Sequence, residues 1–287
     1  MSKGISLHLG LNTVDSKHYK DADDKPWDGR LDACENDARA MQQLADTQGF
    51  SSTLLLTQAA SSQNLIQAIN KAAQTLKSGD LFFLSFSEQG NSFLGRNELT
   101  GKDEWIGVGP KDETWCLYDR QLLDDQIYDC LAQMKSGVRV LVVSDSCHSG
   151  SVVKDLELAK RLPQFRYNPP QNVIKTIAAN PEIYQNVRTS RRALRAARAN
   201  VSASVILLAG CQEGQLSGDG PANGNGVFTS TLLNVWRSGK FSNHYDFIQR
   251  IAQQIPPPEH IFYKQTPVLY KTGVANPKFE AQKPFTI

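Results

Sequence analysis

Cys147 stands in the stretch Val138-Arg-Val-Leu-Val-Val-Ser-Asp-Ser-Cys-His-Ser-Gly150, where an apolar run stops at an acid, a thiol and a tight turn. A thiolate is a competent nucleophile towards carbonyl carbon, provided a neighbour helps to remove its proton. A strand ending at Asp145 delivers that thiol to the C-terminal edge of a sheet, where open α/β proteins bind their ligands. The competing reading of Cys147 is a core thiol, and of Asp145 a turn-capping acid. Among the five histidines, His148 adjoins the thiol and His8 lies near a strand start. His18, His244 and His260 show no ligand spacing.

The elements that must position this chemistry alternate along the chain. Ile5–Leu11 reads as a first strand. Leu31, Cys34, Ala38, Met41 and Leu44 recur at helical spacing, with Gly49 as the stop. Thr53–Thr57 is a strand, and Ser61 or Ser62 caps a helix carrying Leu65, Ile66, Ile69, Ala73 and Leu76. Leu81–Phe86 is continuously apolar, the pattern of a strand covered on both faces. A glycine-rich loop or hairpin occupies 88–116, a helix 120–135, and then comes the strand to Asp145. Val205–Ala209, helices over 227–238 and 244–254, and a strand Thr266–Tyr270 complete the order. This alternation predicts a mostly parallel sheet with helices on both faces.

The 287 residues carry a net charge of +2, which says little about partners. The distribution says more, since residues 151–200 hold ten Lys/Arg against three Asp/Glu. No apolar run approaches membrane-spanning length, and the N-terminus lacks a signal-peptide core. Five cysteines without a CxxC pair argue against a disulfide framework or structural zinc and fit a reducing cytoplasm. The basic stretch lacks the aromatic interleaving of a nucleic-acid groove.

Taken in order, Ala33-Cys-Glu-Asn-Asp-Ala38, Ser87-Glu-Gln-Gly90, Asp112-Glu-Thr-Trp, Leu123-Asp-Asp-Gln, Asp145-Ser-Cys-His-Ser-Gly150, Ala209-Gly-Cys-Gln-Glu-Gly-Gln and Gln265-Thr-Pro-Val-Leu form a recognisable set. Together they resemble the caspase-like cysteine peptidases of clan CD, family C14, in the bacterial metacaspase-like (orthocaspase) branch. The resemblance covers nearly all of the chain. It implies a three-layer α/β/α caspase-like fold with a six-stranded, mostly parallel sheet. It also implies one domain over 1–287, with a large-subunit-like part (1–150), a basic linker (151–200) and a small-subunit-like part (201–287).

By the same resemblance Cys147 is the nucleophile, and the amides of Cys147 and Gly90 form the oxyanion hole. Asp145, Asp37 and Cys34 wall an acidic pocket for a substrate Arg or Lys, as carboxylates pair bidentately with a guanidinium. Core packing for Cys34, and a solvated or helix-terminal role for Asp37, remain alternatives. Asp112, Asp124 and Asp125 match acids that hold calcium in some family members; Asp124-Asp125 equally suits a helix N-terminus. No other cofactor is implied.

One position departs from the pattern. The family turn reads Ser-Gly-His-Gly, and here Glu88 and Gln89 replace its middle residues. A carboxamide does not take up and return a proton near neutral pH. General acid–base help, typically about 10²–10⁴ in rate, is therefore missing. Two functions follow: a weak or inactive endopeptidase for peptides with Arg or Lys, or a pseudoprotease that binds basic peptides. The linker arginines Arg188, Arg191, Arg192, Arg195 and Arg198 are candidate self-processing sites; a solvated helix face is the plainer reading.

Overall fold

Blocks of β-branched and aromatic sequence pair into one six-stranded sheet. The structure is a computed structural model, and it describes residues 2–93, 112–146, 165–184, 198–212, 215–256 and 264–287. The strands are β1 (Gly4–Gly10), β2 (Ser51–Leu56), β3 (Leu81–Ser87), β7 (Arg139–Asp145), β8 (Ser204–Ala209) and β9 (Val268–Gly273). They lie in the order β2-β1-β3-β7-β8-β9, all parallel except β9. Every residue of β3 and β7 is buried, as their unbroken apolar runs require.

Alternate side chains of each strand feed two separate apolar layers. Leu7, Leu9, Phe82, Leu84, Phe86, Val140 and Val142 pack against Leu65 and Ile69 of α2 (Ser62–Thr75) and Leu131 of α3 (Asp124–Leu131). Phe83, Leu141, Val143, Ile206 and Leu208 face the other way. They meet Met41 and Leu44 of α1 (Cys34–Thr47) and the helices Val227–Ser238 and His244–Gln254, numbered α6 and α7 below. The result is a three-layer α/β/α sandwich. No helix among the described residues is long and apolar enough to cross a membrane.

A smaller antiparallel sheet, β4 (Gly90–Phe93), β5 (Asp112–Cys116) and β6 (Gln121–Leu123), stands beside the C-terminal end of β3. It corrects the expected helix over 120–135. Gln121 and Leu122 pair with Cys116 and Trp115, and buried Leu122 joins Trp115 in the apolar layer, so the helix starts only at Asp124. The last strand also starts later than its apolar run suggests. The Gln265 side chain and the Thr266 amide are engaged with Gly218, Ser217 and Gln215, and pairing with β8 begins at Val268. Two helices in the basic segment, α4 (Pro170–Ala179) and α5 (Pro181–Tyr184), had no counterpart in the sequence reading.

Helix α1 begins at Cys34 with Glu35 and Asp37 in its first turn, where acids suit the helix dipole. Its start presses against the end of β1. A Cβ on Gly10 would meet the carbonyl oxygen of Cys34, so glycine is required for this approach. Gly49, at φ 84°, ends the helix as its position suggested.

Candidate active site

Parallel register places the ends of three strands side by side: Gly10 opposite Ser87, and Ser87 opposite Asp145. Chain direction across the sheet reverses between β1 and β3, so a crevice opens at this edge. Asp37 projects into it from the first turn of α1. Asp145 and Asp37 are both almost fully buried, each 1% exposed.

Their partner is Arg166, a fully buried arginine from the basic segment. Its Nη2 pairs with Asp37 Oδ2 at 2.6 Å and with Asp219 Oδ1 at 3.1 Å. Its Nη1 lies 2.7 Å from Asp145 Oδ2 and donates to Ser87 Oγ (2.8 Å) and to the Asp145 carbonyl (3.0 Å). Nε donates to Asp219 Oδ1 at 3.3 Å. The five N–H donors of a guanidinium thus meet five hydrogen bonds.

The carboxylates are themselves held in place. Asp37 Oδ1 accepts from the Gly226 amide and from Asn225 Nδ2, both at 2.9 Å, while Ser87 Oγ donates to Oδ2. Asp145 Oδ1 accepts from Ser217 Oγ at 2.6 Å, and Oδ2 from Thr229 Oγ1 at 2.7 Å. Asp219 Oδ2 accepts from the Asp32 amide at 2.8 Å. Burial pushes the Asp37 carboxyl up, Arg166 pulls it back, and nearby Asp145 adds to the rise. Burial acts against charge on Arg166, but Asp145, with Asp37 and Asp219, more than offsets it and raises its pKa further.

Cys34 is fully buried, and burial raises its thiol well above the ordinary range, so it contributes a neutral wall beside Arg166 and not a nucleophile. Asp219, Ser87 and Ser217 complete the pocket and were not singled out from the sequence. A Gly-Asp-Gly run in a glycine-rich loop carries no sign that its acid is buried.

Backbone contacts give the Arg166 segment the form of a bound peptide. The Arg166 amide donates to the Ser217 carbonyl at 3.1 Å, and its carbonyl accepts from the Gly90 amide at 3.2 Å. Phe165 bridges Gly218 in antiparallel fashion and Tyr167 bridges Gly90 in parallel fashion. The Asn168 amide then donates to the Gly90 carbonyl.

Gln89 lies beside this groove, buried, with Nε2 donating to the Gly29 carbonyl at 3.2 Å and Oε1 without a hydrogen-bond partner among the described residues. Glu88 is fully buried, and neither of its carboxyl oxygens has a hydrogen-bond partner among the described residues. Desolvation raises its pKa well above the usual carboxylate range, against the opposing pull of Arg166. The three described histidines are engaged elsewhere. His8 Nδ1 bonds Ser85 Oγ inside the sheet, and burial drops its pKa to about 3; His244 packs edge-on to Phe279; His18 meets Asn180.

Cys147, His148, His260 and the arginines from Arg188 to Arg195 lie outside the described residues. So do the side chains of Asp112, Asp124 and Asp125, whose backbones begin β5 and α3. Ser146, the residue before the expected nucleophile, is fully buried.

A family model, Caspase domain (peptidase C14), matches residues 14–277. Among curated relatives, Metacaspase-7 of Arabidopsis thaliana is 31% identical over 137 residues, covering 44% of this chain and 32% of that protein. Metacaspase-1 of Schizosaccharomyces pombe is 27% identical over 164 residues, covering 53% and 35%. The chain therefore spans about a third of the length of these relatives. A crystal structure of a Geobacter sulfurreducens protein matches with a TM-score of 0.81 at 41% identity, over 99% of both chains. Caspase-1 from Spodoptera frugiperda matches with a TM-score of 0.53 over 95% of this chain and 86% of that one; at 12% identity the likeness is one of fold.

Proposed function

The chain belongs to the caspase-domain peptidases, and from that premise we propose that it is a cysteine-peptidase domain selective for arginine before the scissile bond, with proton transfer disabled at Gln89. The observation carrying this reading is the acidic wall around a guanidinium: Asp37, Asp145 and Asp219, each oriented by further hydrogen bonds. Lysine fits the same pocket less well. Its ammonium offers three donors and no Nε, so it leaves acceptors unmatched.

In the proposed chemistry the Cys147 thiolate attacks the carbonyl carbon after the arginine. A C–S bond forms, the C–N bond breaks as the leaving amine takes up a proton from solvent, and water then cleaves the thioester to release the acid and return the thiol. The Gly90 amide, which here binds the Arg166 carbonyl, is suited to hold the developing oxyanion. In this reading Gln89 stands where the family turn carries its histidine, and its Nε2 donates to the Gly29 carbonyl. A carboxamide oxygen can accept a hydrogen bond but does not take up a proton near neutral pH, so acyl transfer is slow or absent. Among the described residues the buried Glu88 makes no side-chain hydrogen bond that would mark it as the substitute base.

The pseudoprotease reading is favoured by one observation of its own: the groove already holds Arg166. Calcium remains a proposal. In its support, β5 begins at Asp112 and α3 at Asp124, and the pairing of Thr114 with Leu123 brings these two starts to one end of the small sheet. Asp112, Asp124 and Asp125 would then hold the ion by carboxylate oxygens and brace that sheet beside Gly90.

The test is hydrolysis of an arginyl fluorogenic peptide by this chain, by Gln89→His with Glu88→Gly, and by the same double variant carrying Cys147→Ala. Restoring the imidazole should raise the rate by about 10²–10⁴, and removing the thiol should abolish the gain. No gain on restoring the histidine would remove the peptidase reading.

A further inference from the structure

We infer that Glu88, Gln121 and Asn168 form a buried binding site for one monovalent metal cation, sodium or potassium, behind the Gln89 turn and apart from the acidic wall around Arg166. The site does not depend on the peptidase reading.

Three separate segments bring polar groups to the Cys116 thiol. Cys116 and Gln121 stand directly opposite each other in the β5–β6 ladder, so their side chains share one face of the small sheet. Asn168 Nδ2 donates to Cys116 Sγ at 3.3 Å. Glu88 follows the last residue of β3, and the Cys116 amide donates to the carbonyl of the next residue, Gln89, at 3.3 Å. After burial itself, the Glu88 charge is what raises the Cys116 thiol most, and it also bears on the Tyr19 hydroxyl.

This neighbourhood is dry and polar, yet unpaired. Glu88, Asn168 and Cys116 are fully buried, and Gln121 nearly so. Both carboxyl oxygens of Glu88, both amide atoms of Gln121 and Oδ1 of Asn168 have no hydrogen-bond partner among the described residues. Buried polar groups are almost always paired, so orphans gathered around one thiol mark a bound species. Four of these five atoms are oxygens, the ligands a hard cation takes.

Charge selects the valence. Arg166 is committed to Asp37, Asp145 and Asp219, which leaves the Glu88 carboxylate unbalanced. The other titratable groups around Glu88 are Tyr19, Cys116 and Tyr184, and burial raises the pKa of each, so none adds a negative charge near neutral pH. One carboxylate balances one positive charge. A divalent site ordinarily recruits more, and among the described residues no group of three or more His, Cys, Asp or Glu is arranged to hold a metal. Glu88 therefore exchanges a proton for the metal ion. Once bound, the ion ties the end of β3 to the small sheet and to Asn168, and so braces the turn that carries Gln89 and Gly90.

The experiment places the full chain in tetramethylammonium chloride with a calcium chelator, then replaces that salt by sodium or potassium chloride at constant ionic strength. At tenfold excess over its dissociation constant, the better-fitting metal should raise the melting temperature by about 3 °C or more. In unbuffered solution at pH 7 the same addition should release protons from the chain. Glu88→Gln, which keeps the shape and removes the charge, should abolish both responses. Gln121→Met should weaken the ion about tenfold or more, as the loss of a charge–dipole contact implies. Circular dichroism checks that each variant is folded. Equal melting temperatures in all three salts would overturn the site and leave ordered water as the partner of these atoms. A metal effect undiminished in Glu88→Gln or, should that variant not fold, in Gln121→Met would put the ion elsewhere and overturn it equally.

Discussion

Arg166→Met is the most exacting perturbation of this molecule. Methionine keeps much of the apolar stem and removes the charge and the donors. Three buried carboxylates then lose a cation that lies 2.6 Å, 2.7 Å and 3.1 Å from their oxygens. Breaking a buried pair by deleting one partner costs about 3–5 kcal/mol, because the remaining charge is stranded. Here the stranded acids escape by taking up protons, which caps the loss. Protonating an ordinary aspartate at pH 7 costs about 4 kcal/mol, and at pH 5 about 1.5 kcal/mol, from the gap between the pH and a pKa near 3.9. The sign follows from linkage. In the variant the folded carboxyl pKa values rise above their unfolded values. The stability tied to their protons is present below the unfolded pKa and lost as pH rises through the folded one. Urea unfolding at pH 5 and pH 8 should show a loss of about 3–5 kcal/mol at pH 8 and roughly half that at pH 5. A variant as stable as the parent at pH 8, or an equal loss at both, would refute a charge cluster centred on Arg166.

Other residues give separate checks. Asp219→Asn, in the Arg166→Ala background, should weaken arginyl-peptide binding about 10–100-fold, the worth of a charged hydrogen bond. Lysyl-peptide binding should change less, and equal losses would show that Asp219 does not read the guanidinium fork. Glu88→Gln should flatten the pH dependence of stability. Glu88 has a raised folded pKa, so the parent loses stability as pH climbs above the ordinary carboxylate range, by at most about 1.4 kcal/mol per pH unit. The glutamine variant does not lose it, and parallel profiles would count against a neutral buried Glu88. Millimolar calcium should raise the melting temperature of the parent but not of Asp124→Asn/Asp125→Asn; identical shifts would discard those acids as ligands.

The sheet was largely legible because its central strands announce themselves. Leu81–Phe86 and Val138–Val143 are apolar on both faces, and only a strand covered by helices on each side buries such a run. Strand β6 was not, since Gln121-Leu-Leu is short and flanked by a helical spacing. Only its pairing with β5 overrides that local preference. Helix α4 was missed for a related reason. Its paired prolines read as loop punctuation, yet proline is well suited to a first helical turn.

The site divides along a different line. Asp37 and Asp145 were placed by motif resemblance, and the structure sets both against one guanidinium. The arginine itself was invisible. It sits among ten basic residues whose expected place is solvent, and arginine is almost never fully buried without a partner. Its partners lie 129, 79, 53 and 21 residues away, so no local pattern could carry the signal. A physical clue existed all the same. Two acids aimed into a dry crevice at a sheet edge cannot both stay ionised without a cation. A closed pocket must either protonate them or draw a guanidinium from its own chain. The basic segment was therefore the place to look for the missing charge.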